Sequence, residues 1–177
     1  MKLFSVIFTL LILTACGSSD NGLKDLKVKI EQKEEAIKEL SKDLRPNQKI
    51  PVSEREELVD LLLGFYHSYP KNEFAPVSLD KLHMIYSATR EYQKSADYGD
   101  TLLNNYPNYI NRALILESMA VNYDLFIQPR DTSKVRKYNE ILLKENPDFS
   151  PEKIEGIQFK LDNLGLTMEE LIMERNK

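Results

Sequence analysis

The fold of this chain depends on residues 82–107, which read LHMIYSATREYQKSADYGDTLLNNYP. Apolar and small side chains recur there at spacings of three and four, as on the buried face of an amphipathic helix. We therefore predict one helix over 77–89 and a second over 92–105. The stretch ends at Tyr106-Pro107, because proline cannot continue a helix.

The Tyr-Pro turn recurs along the chain. It is found at Tyr69-Pro70 and Tyr106-Pro107, with Asn146-Pro147 in the equivalent place, so the prolines lie 37 and 40 residues apart. This period is typical of stacked helix pairs, and no alternating apolar pattern of useful length predicts a strand. We expect an all-α fold, with antiparallel helix pairs stacked as a short right-handed superhelix. Further helices are predicted over 53–69, 109–127, 132–145 and 151–163, and a short one after Thr167.

Local signals mark several helix starts. Ser53 with Glu56, and Thr167 with Glu170, have the spacing of a capping box, in which each residue caps the backbone of the other. Ser150-Pro151 combines an N-cap residue with proline at the first helical position, where its missing N–H costs nothing.

The helix pairs resemble the tetratricopeptide repeat over about residues 53–147. In the unit that contains residues 82–107, the signature spacing fits without a gap and the leucine, tyrosine and proline positions agree. A histidine replaces the signature glycine, and a glycine replaces the signature phenylalanine. The alternative is a helical bundle without a repeat. The signature positions are Leu82, His83, Tyr86, Ser95, Gly99, Leu102 and Pro107 in this unit, and Met119, Ala120, Tyr123, Leu142 and Pro147 in the next.

The first residues have the layout of a secretory signal peptide. Met1-Lys2 is a short positive start, residues 3–13 form an apolar run, and Leu13-Thr14-Ala15-Cys16 closes it. The closing sequence resembles the lipobox of bacterial lipoproteins, and Cys16 is the one cysteine of the chain. The resemblance implies diacylglycerol on the Cys16 sulfur, cleavage before Cys16 and a third acyl chain on the new amino group. We expect a signal peptide over 1–15 and a flexible tether over 16–22.

Two other interpretations of this segment stay open. One is an uncleaved membrane helix, although the eleven-residue run falls short of the roughly 20 residues that cross a bilayer. The other is cleavage at an ordinary A-x-A-like site. Gly17 rather than aspartate follows the cysteine, which by resemblance to Gram-negative lipoproteins favours the outer membrane. The expected location is the cell envelope, lipid-anchored at the outer membrane, with the periplasmic face favoured over the cell surface.

Residues 23–45 predict a charged amphipathic helix. Its heptads reach only the minimum for a coiled coil, and a lysine falls in one core layer. One hypothesis is self-association through Leu23–Leu44. The alternatives are a helix packed on its own domain and a solvated spacer arm. A linker over 46–52 leads to a helical-repeat domain over 53–177. Heptad positions a are Leu23, Ile30, Ile37 and Leu44, and positions d are Leu26, Lys33 and Leu40.

Composition and motifs exclude several kinds of function. The formal net charge is -4 and no basic cluster is present, so nucleic acid is not an expected partner. His67 and His83 are the only histidines, and no Asp, Glu or Cys spacing makes a metal set with either. No nucleophile motif, phosphate loop or paired carboxylates are found. We expect no catalytic site, no metal and no cofactor, and therefore no enzyme.

The repeat resemblance implies a groove lined by the first helix of each pair. Some family members hold a peptide carboxylate there with lysine and asparagine, but acidic and apolar residues take those positions here. An acidic, mildly apolar groove favours a basic or amphipathic partner segment. The alternative is that these residues are solvated or buried against the trailing helices. The expected groove residues are Asp80, Met84, Ser87, Glu117, Val121 and Asp124, flanked by Val77 and Leu114.

Together the lipobox and the repeat resemble two groups of envelope proteins. One comprises the lipid-anchored repeat proteins of outer-membrane protein assembly, and the other the coiled-coil-plus-repeat proteins of the Tol-Pal system. Both groups act by binding proteins, so the expected function is an adaptor or scaffold for envelope proteins or peptides. An accessory subunit of an envelope enzyme or polysaccharide-processing system, and a self-associating structural spacer, are the alternatives.

Overall fold

A computed structural model describes residues 18–45, 48–167, 170 and 172–173 of the chain. Over these ranges the fold is all-α, as expected, and contains no strand. The predicted signal peptide and Cys16 lie outside the described residues. None of the described helices is long and apolar enough to cross a membrane. The helices are α1 Ser18–Lys42, α2 Val52–Ser68, α3 Phe74–Ala88, α4 Tyr92–Asn105, α5 Arg112–Val121, α6 Thr132–Glu145 and α7 Pro151–Asp162.

Where the sequence carries a strong cap or turn signal, the helix boundaries agree with the prediction. The bounds of α4 and α6 are those expected. The Ser150 side chain accepts a hydrogen bond from the Lys153 amide at the start of α7. Thr167 and Glu170 make the reciprocal bonds of a capping box, since the Thr167 amide donates to Glu170 Oε2 at 2.7 Å and the Glu170 amide donates to Thr167 Oγ1 at 3.3 Å.

Other boundaries differ from the sequence prediction. Residues 18–22, expected to be a flexible tether, form the first part of α1. The helix start expected at Ser53 lies at Val52. The single helix expected over 109–127 is instead α5 followed by a π-helical turn, Asn122–Phe126.

The chain divides into two compact units whose boundary follows Leu61, inside α2. In the first unit, Ile30 of α1 is fully buried. Lys33 donates to Glu54 Oε2 of α2 at 2.9 Å and forms an ion pair with Glu57. The lysine that interrupts the heptad pattern therefore has carboxylate partners in its own unit, which favours a helix packed on its own domain over a coiled coil.

The second unit is built from consecutive helices that pack in pairs. Helix α3 packs against α4 and α5 against α6, while contacts of α4 with α5 and of α6 with α7 join one pair to the next. One face of each helix supplies the apolar core, as the three- and four-residue periodicity predicts. The most deeply buried core residues include Leu79, Leu82, Leu102, Leu116, Met119, Tyr138 and Leu142.

Long-range hydrogen bonds in this unit recur at the spacing of the turns. Tyr106 Oη donates to the Pro70 carbonyl oxygen at 2.6 Å, so the second Tyr-Pro turn is bonded to the first, 36 residues earlier. The Tyr138 hydroxyl donates to the Asp100 carboxylate, 38 residues earlier. Burial, and then the hydrogen bond to Asp100, raise the pKa of Tyr138 above its ordinary value and keep the hydroxyl a donor. The tertiary contacts therefore repeat at close to the 37-residue period of the sequence.

Two departures from the repeat signature compensate each other. The side chain of His83, where the signature has glycine, is buried beside Gly99, where the signature has phenylalanine. A Cβ on Gly99 would lie 2.4 Å from Met119 Sδ and 3.2 Å from His83 Nδ1. Only a residue without a side chain leaves room for both neighbours, so the large residue at one position requires the small one at the other.

We expect Gly99→Ala to lower the free energy of unfolding by about 1 kcal/mol. The overpacking cost of about 1–3 kcal/mol should exceed the gain of roughly 1 kcal/mol in helix propensity. Gly64→Ala in α2 is the matched control, because a Cβ there meets nothing within 4 Å; it should gain about 0.5–1 kcal/mol. Urea denaturation followed by circular dichroism measures both changes. A gain of stability in both variants would show that Gly99 is not tightly packed.

Candidate functional site

A buried polar network around His83 joins α3, α4 and α5. His83 Nδ1 lies 2.8 Å from the Ser95 carbonyl oxygen, and Nε2 lies 2.9 Å from Ser118 Oγ. Because a carbonyl oxygen can only accept, Nδ1 carries a proton, and in the neutral ring Nε2 accepts from the Ser118 hydroxyl. Asn122 Nδ2 donates to Ser95 Oγ at 3.4 Å. These bonds offset the cost of burying the polar groups and fix the wall behind the site.

Beside this network, α3 and α5 form the two walls of an open furrow of about 570 Å³. Met84 on α3 and Leu114 on α5 stand at its surface, each 62% exposed. Exposed apolar side chains that lie together in one depression are a common feature of binding surfaces, whereas single ones need no explanation. Three of the six predicted groove residues line it, namely Asp80, Met84 and Ser87, together with Ala88, Asn111 and Ser118.

Asp80 supplies the carboxylate of the furrow. Its Oδ2 accepts from Tyr109 Oη at 2.8 Å and from Asn111 Nδ2 at 3.1 Å. Burial, and then the hydrogen bond to Asp80, raise the pKa of Tyr109 above its ordinary value, so the phenol stays a donor. Both donors are uncharged and do not neutralise the carboxylate, which leaves it able to attract a cation.

The other three predicted groove residues do not line the furrow, and the two acidic ones pair with lysines of α7. Glu117 forms an ion pair with Lys153, and Asp124 Oδ2 accepts from Lys160 Nζ at 2.9 Å. Val121 lies between the two acidic residues in sequence and is half-buried. Glu117 and Asp124 therefore contact a trailing helix, which was the alternative to a groove position. The acidic charge expected in the groove is matched there by lysines of the same chain.

Asp124 lies in the π-helical turn Asn122–Phe126, which continues α5. Its side chain is only 2% exposed, yet Arg130 Nη2 lies 2.8 Å from Oδ1 and Lys160 Nζ lies 2.9 Å from Oδ2. Single turns of π-helix often reorient a side chain at a site that matters for function. Here the turn carries a carboxylate that two cations from different segments share.

The Ser118–His83 pair has the distance of a nucleophile and its base, but its setting lacks the rest of a hydrolytic site. Ser118 lies within α5, where interior backbone amides are used by the helix and cannot stabilise an oxyanion. Among the described residues, no group of three His, Cys, Asp or Glu side chains could hold a metal ion.

Five residues that line the furrow were not among the predicted groove residues, namely His83, Ala88, Asn111, Ile115 and Ser118. The long-range contacts of two of them show why. Asn111 immediately precedes α5, and its amide reaches back 31 residues to Asp80. Ser118 contacts His83 across 35 residues. Neither position carries a local signal for such a contact, because the pairing depends on how α5 packs beside α3.

Comparison with known proteins adds no family assignment. No protein-family model matches the chain, and neither a curated protein nor a solved structure does. Its function is therefore inferred from the furrow and from the sequence signals.

Asp124→Ala should lower the free energy of unfolding by roughly 3 kcal/mol, because Arg130 and Lys160 would face each other without their carboxylate. Asp148→Ala, at an exposed loop position, is the control and should change stability by less than about 0.5 kcal/mol. Urea denaturation of both variants gives the comparison. Equal, small losses would show that solvent, rather than Asp124, stabilises the two cations.

Proposed function

We propose that this chain is a lipid-anchored cell-envelope protein that binds other envelope proteins or peptides through the furrow between α3 and α5. The observation that carries the proposal is the exposure of Met84 and Leu114 on its two walls. An open apolar depression with a few polar groups at its edge is the usual form of a recognition site. The preferred ligand is a segment with apolar side chains for the furrow and a basic residue for Asp80.

The arrangement of helices supports a tetratricopeptide-like array as the framework of this site. The pairs α3–α4 and α5–α6 follow the predicted repeat, and hydrogen bonds join residues 36 and 38 positions apart. The exchange of His83 and Gly99 accounts for the two signature departures in the first unit. In such an array the first helices of successive pairs lie side by side, so a furrow between α3 and α5 is where a partner segment would bind.

The anchor and location rest on the sequence. Leu13-Thr14-Ala15-Cys16 resembles a lipobox, and Gly17 favours the outer membrane with the repeat domain on its periplasmic face. Two or three acyl chains would hold the protein stably at the membrane, since one chain alone binds only weakly. The furrow would then meet partners close to that surface.

Replacing Cys16 with serine tests the anchor. We expect Cys16→Ser to abolish incorporation of labelled palmitate and to retain residues 1–15, because lipid transfer to the sulfur precedes cleavage. Ser18→Ala, two residues further on, is the control and should be labelled and cleaved normally. Palmitate labelling with mass spectrometry of the amino terminus provides the readout. Undiminished labelling of Cys16→Ser would exclude this cysteine as the acylation site.

Site-specific photocrosslinking tests the furrow. A benzophenone amino acid at position 84 or 114 of the full chain in cells should capture the same partner protein. The same probe at Asn104, an exposed residue of α4, should not capture it. Mass spectrometry of the adducts identifies the partner and the segment bound.

Charge substitution in the furrow gives the complementary test. Met84→Glu and Leu114→Glu should each weaken recovery of that partner at least about tenfold, since an apolar contact of about 1.4 kcal/mol is replaced by a buried carboxylate. Val52→Glu changes a similarly exposed apolar residue in α2, 55% exposed, and should leave recovery unchanged. Recovery that is equal in all three variants would exclude the furrow as the binding site.

A further inference from the structure

Charged residues of α7 pair with those of α5 and of the π-helical turn that follows it, and each side contributes a triplet of residues. Each triplet has a charged residue, an apolar residue four positions later and a second charge three positions after that. In an α-helix such as α7, this spacing places the three residues along one side. Two ion pairs connect the triplets, Glu117 with Lys153 and Asp124 with Lys160, each across 36 residues. The acidic triplet is Glu117, Val121 and Asp124, and the basic triplet is Lys153, Ile157 and Lys160.

Two more triplets with the same spacing lie on outward-facing sides of α6 and α7. The four charged residues are exposed and the two central apolar residues are half-buried. The basic triplet lines an open depression of about 760 Å³ on α6, and the acidic one lines a depression of about 510 Å³ on α7. The basic triplet is Lys137, Ile141 and Lys144, and the acidic triplet is Glu155, Phe159 and Asp162.

Within the part of the chain that the structure describes, these four charges form no ion pair. Lys137 Nζ lies 5.0 Å from the centroid of the Tyr138 ring, and Asp162 Oδ1 accepts from Gln158 Nε2 at 2.8 Å. Both contacts are made within the residue's own helix. The charged ends of both triplets therefore remain open to groups of opposite charge.

We propose that two copies of this chain associate through these faces, with α6 of each copy packed on α7 of the other. The basic triplet of one copy would oppose the acidic triplet of the other, with Ile141 against Phe159 between the ion pairs. Because both ends of a triplet carry the same charge, the match holds whichever direction the helices run. Helices α6 and α7 are neighbours in one protomer. A two-fold axis therefore pairs the basic face of each copy with the acidic face of the other, so that both faces are covered and the dimer is closed.

Charge complementarity identifies a second copy as the occupant. One face is basic and the other acidic, their charges have the same spacing, and both are present on every copy. The ion pairs of Glu117 with Lys153 and of Asp124 with Lys160 show that charges seven residues apart already pair in this way within the chain. Exposed charges mainly select the partner and its register, while the central apolar pair supplies surface to bury. The proposed dimer does not use the α3–α5 furrow and stands independently of the proposed partner binding.

Reversing the charges of one face at a time tests the dimer. Full-length copies with two different tags are co-expressed, extracted in mild detergent and purified through one tag. Lys137→Glu/Lys144→Glu makes both faces acidic, and Glu155→Lys/Asp162→Lys makes both basic. Each variant expressed with itself should lose co-purification at least about tenfold, because like charges oppose at both contacts. The two variants expressed together should recover it, since each acidic face then meets a basic one.

A matched control and a second readout complete the design. Lys71→Glu/Asp148→Lys reverses two exposed charges elsewhere in the second unit and should co-purify like the unmodified chain. Circular dichroism establishes that every variant is folded. A photoreactive residue at position 141 should yield an adduct that carries both tags. The proposal would be overturned if unmodified copies did not co-purify, or if either charge-reversed variant co-purified with itself as well as the unmodified chain does. It would also be overturned if the two variants expressed together did not recover co-purification. An adduct formed only within one chain, or only with another protein, would overturn it as well.

Discussion

The packing of the second unit depends on a small space beside Gly99. The side chains of His83 and Met119 fill this space, and it has no room for a side chain at position 99. Gly99 lets α4 approach α3 and α5 closely, and the imidazole fills the room that a larger residue at position 99 would take. The ring then bonds Ser95 on α4 and Ser118 on α5. A buried histidine is stable only when its nitrogens are satisfied, so this network sets how α3, α4 and α5 lie relative to one another. The furrow between α3 and α5 has its position because of it.

Beyond this network, several polar contacts between different segments of the second unit span 36 residues. A tyrosine of one Tyr-Pro turn donates to the carbonyl of the turn before it, and lysines of α7 pair with carboxylates of α5 and of the π-helical turn that follows it, each across 36 residues. Glu117 and Asp124 are therefore already paired with lysines of the same chain. Asp80, whose partners are uncharged, is the one member of the predicted acidic set left in the furrow.

Several parts of this structure could be predicted from residues alone because the signals are local. The bounds of α4 and α6, the Ser150 cap and the Thr167–Glu170 capping box follow from spacing over three or four residues and from turn chemistry. Lys33, which weakens the heptad pattern, shows the opposite case. Its partners Glu54 and Glu57 lie on a different helix, so sequence periodicity could mark it as an exception but could not explain it.

The amino-acid sequence by itself determined the all-α class, the helix pairs, their period of about 37 residues and the candidate groove positions Asp80, Met84 and Ser87. The class, the pairs and the period follow from apolar periodicity and proline placement, which act within one or two helices. The groove positions follow from the resemblance of the helix pairs to the tetratricopeptide repeat. Only the tertiary structure decided that Glu117 and Asp124 would be matched by lysines of α7, that Asn111 and Ser118 would join the furrow, and that α5 would end in a π-helical turn. The contacts of Glu117, Asp124, Asn111 and Ser118 depend on which helix faces which across 31 to 36 residues, and that choice is made by side-chain volume and charge at the contact rather than by any pattern along the chain.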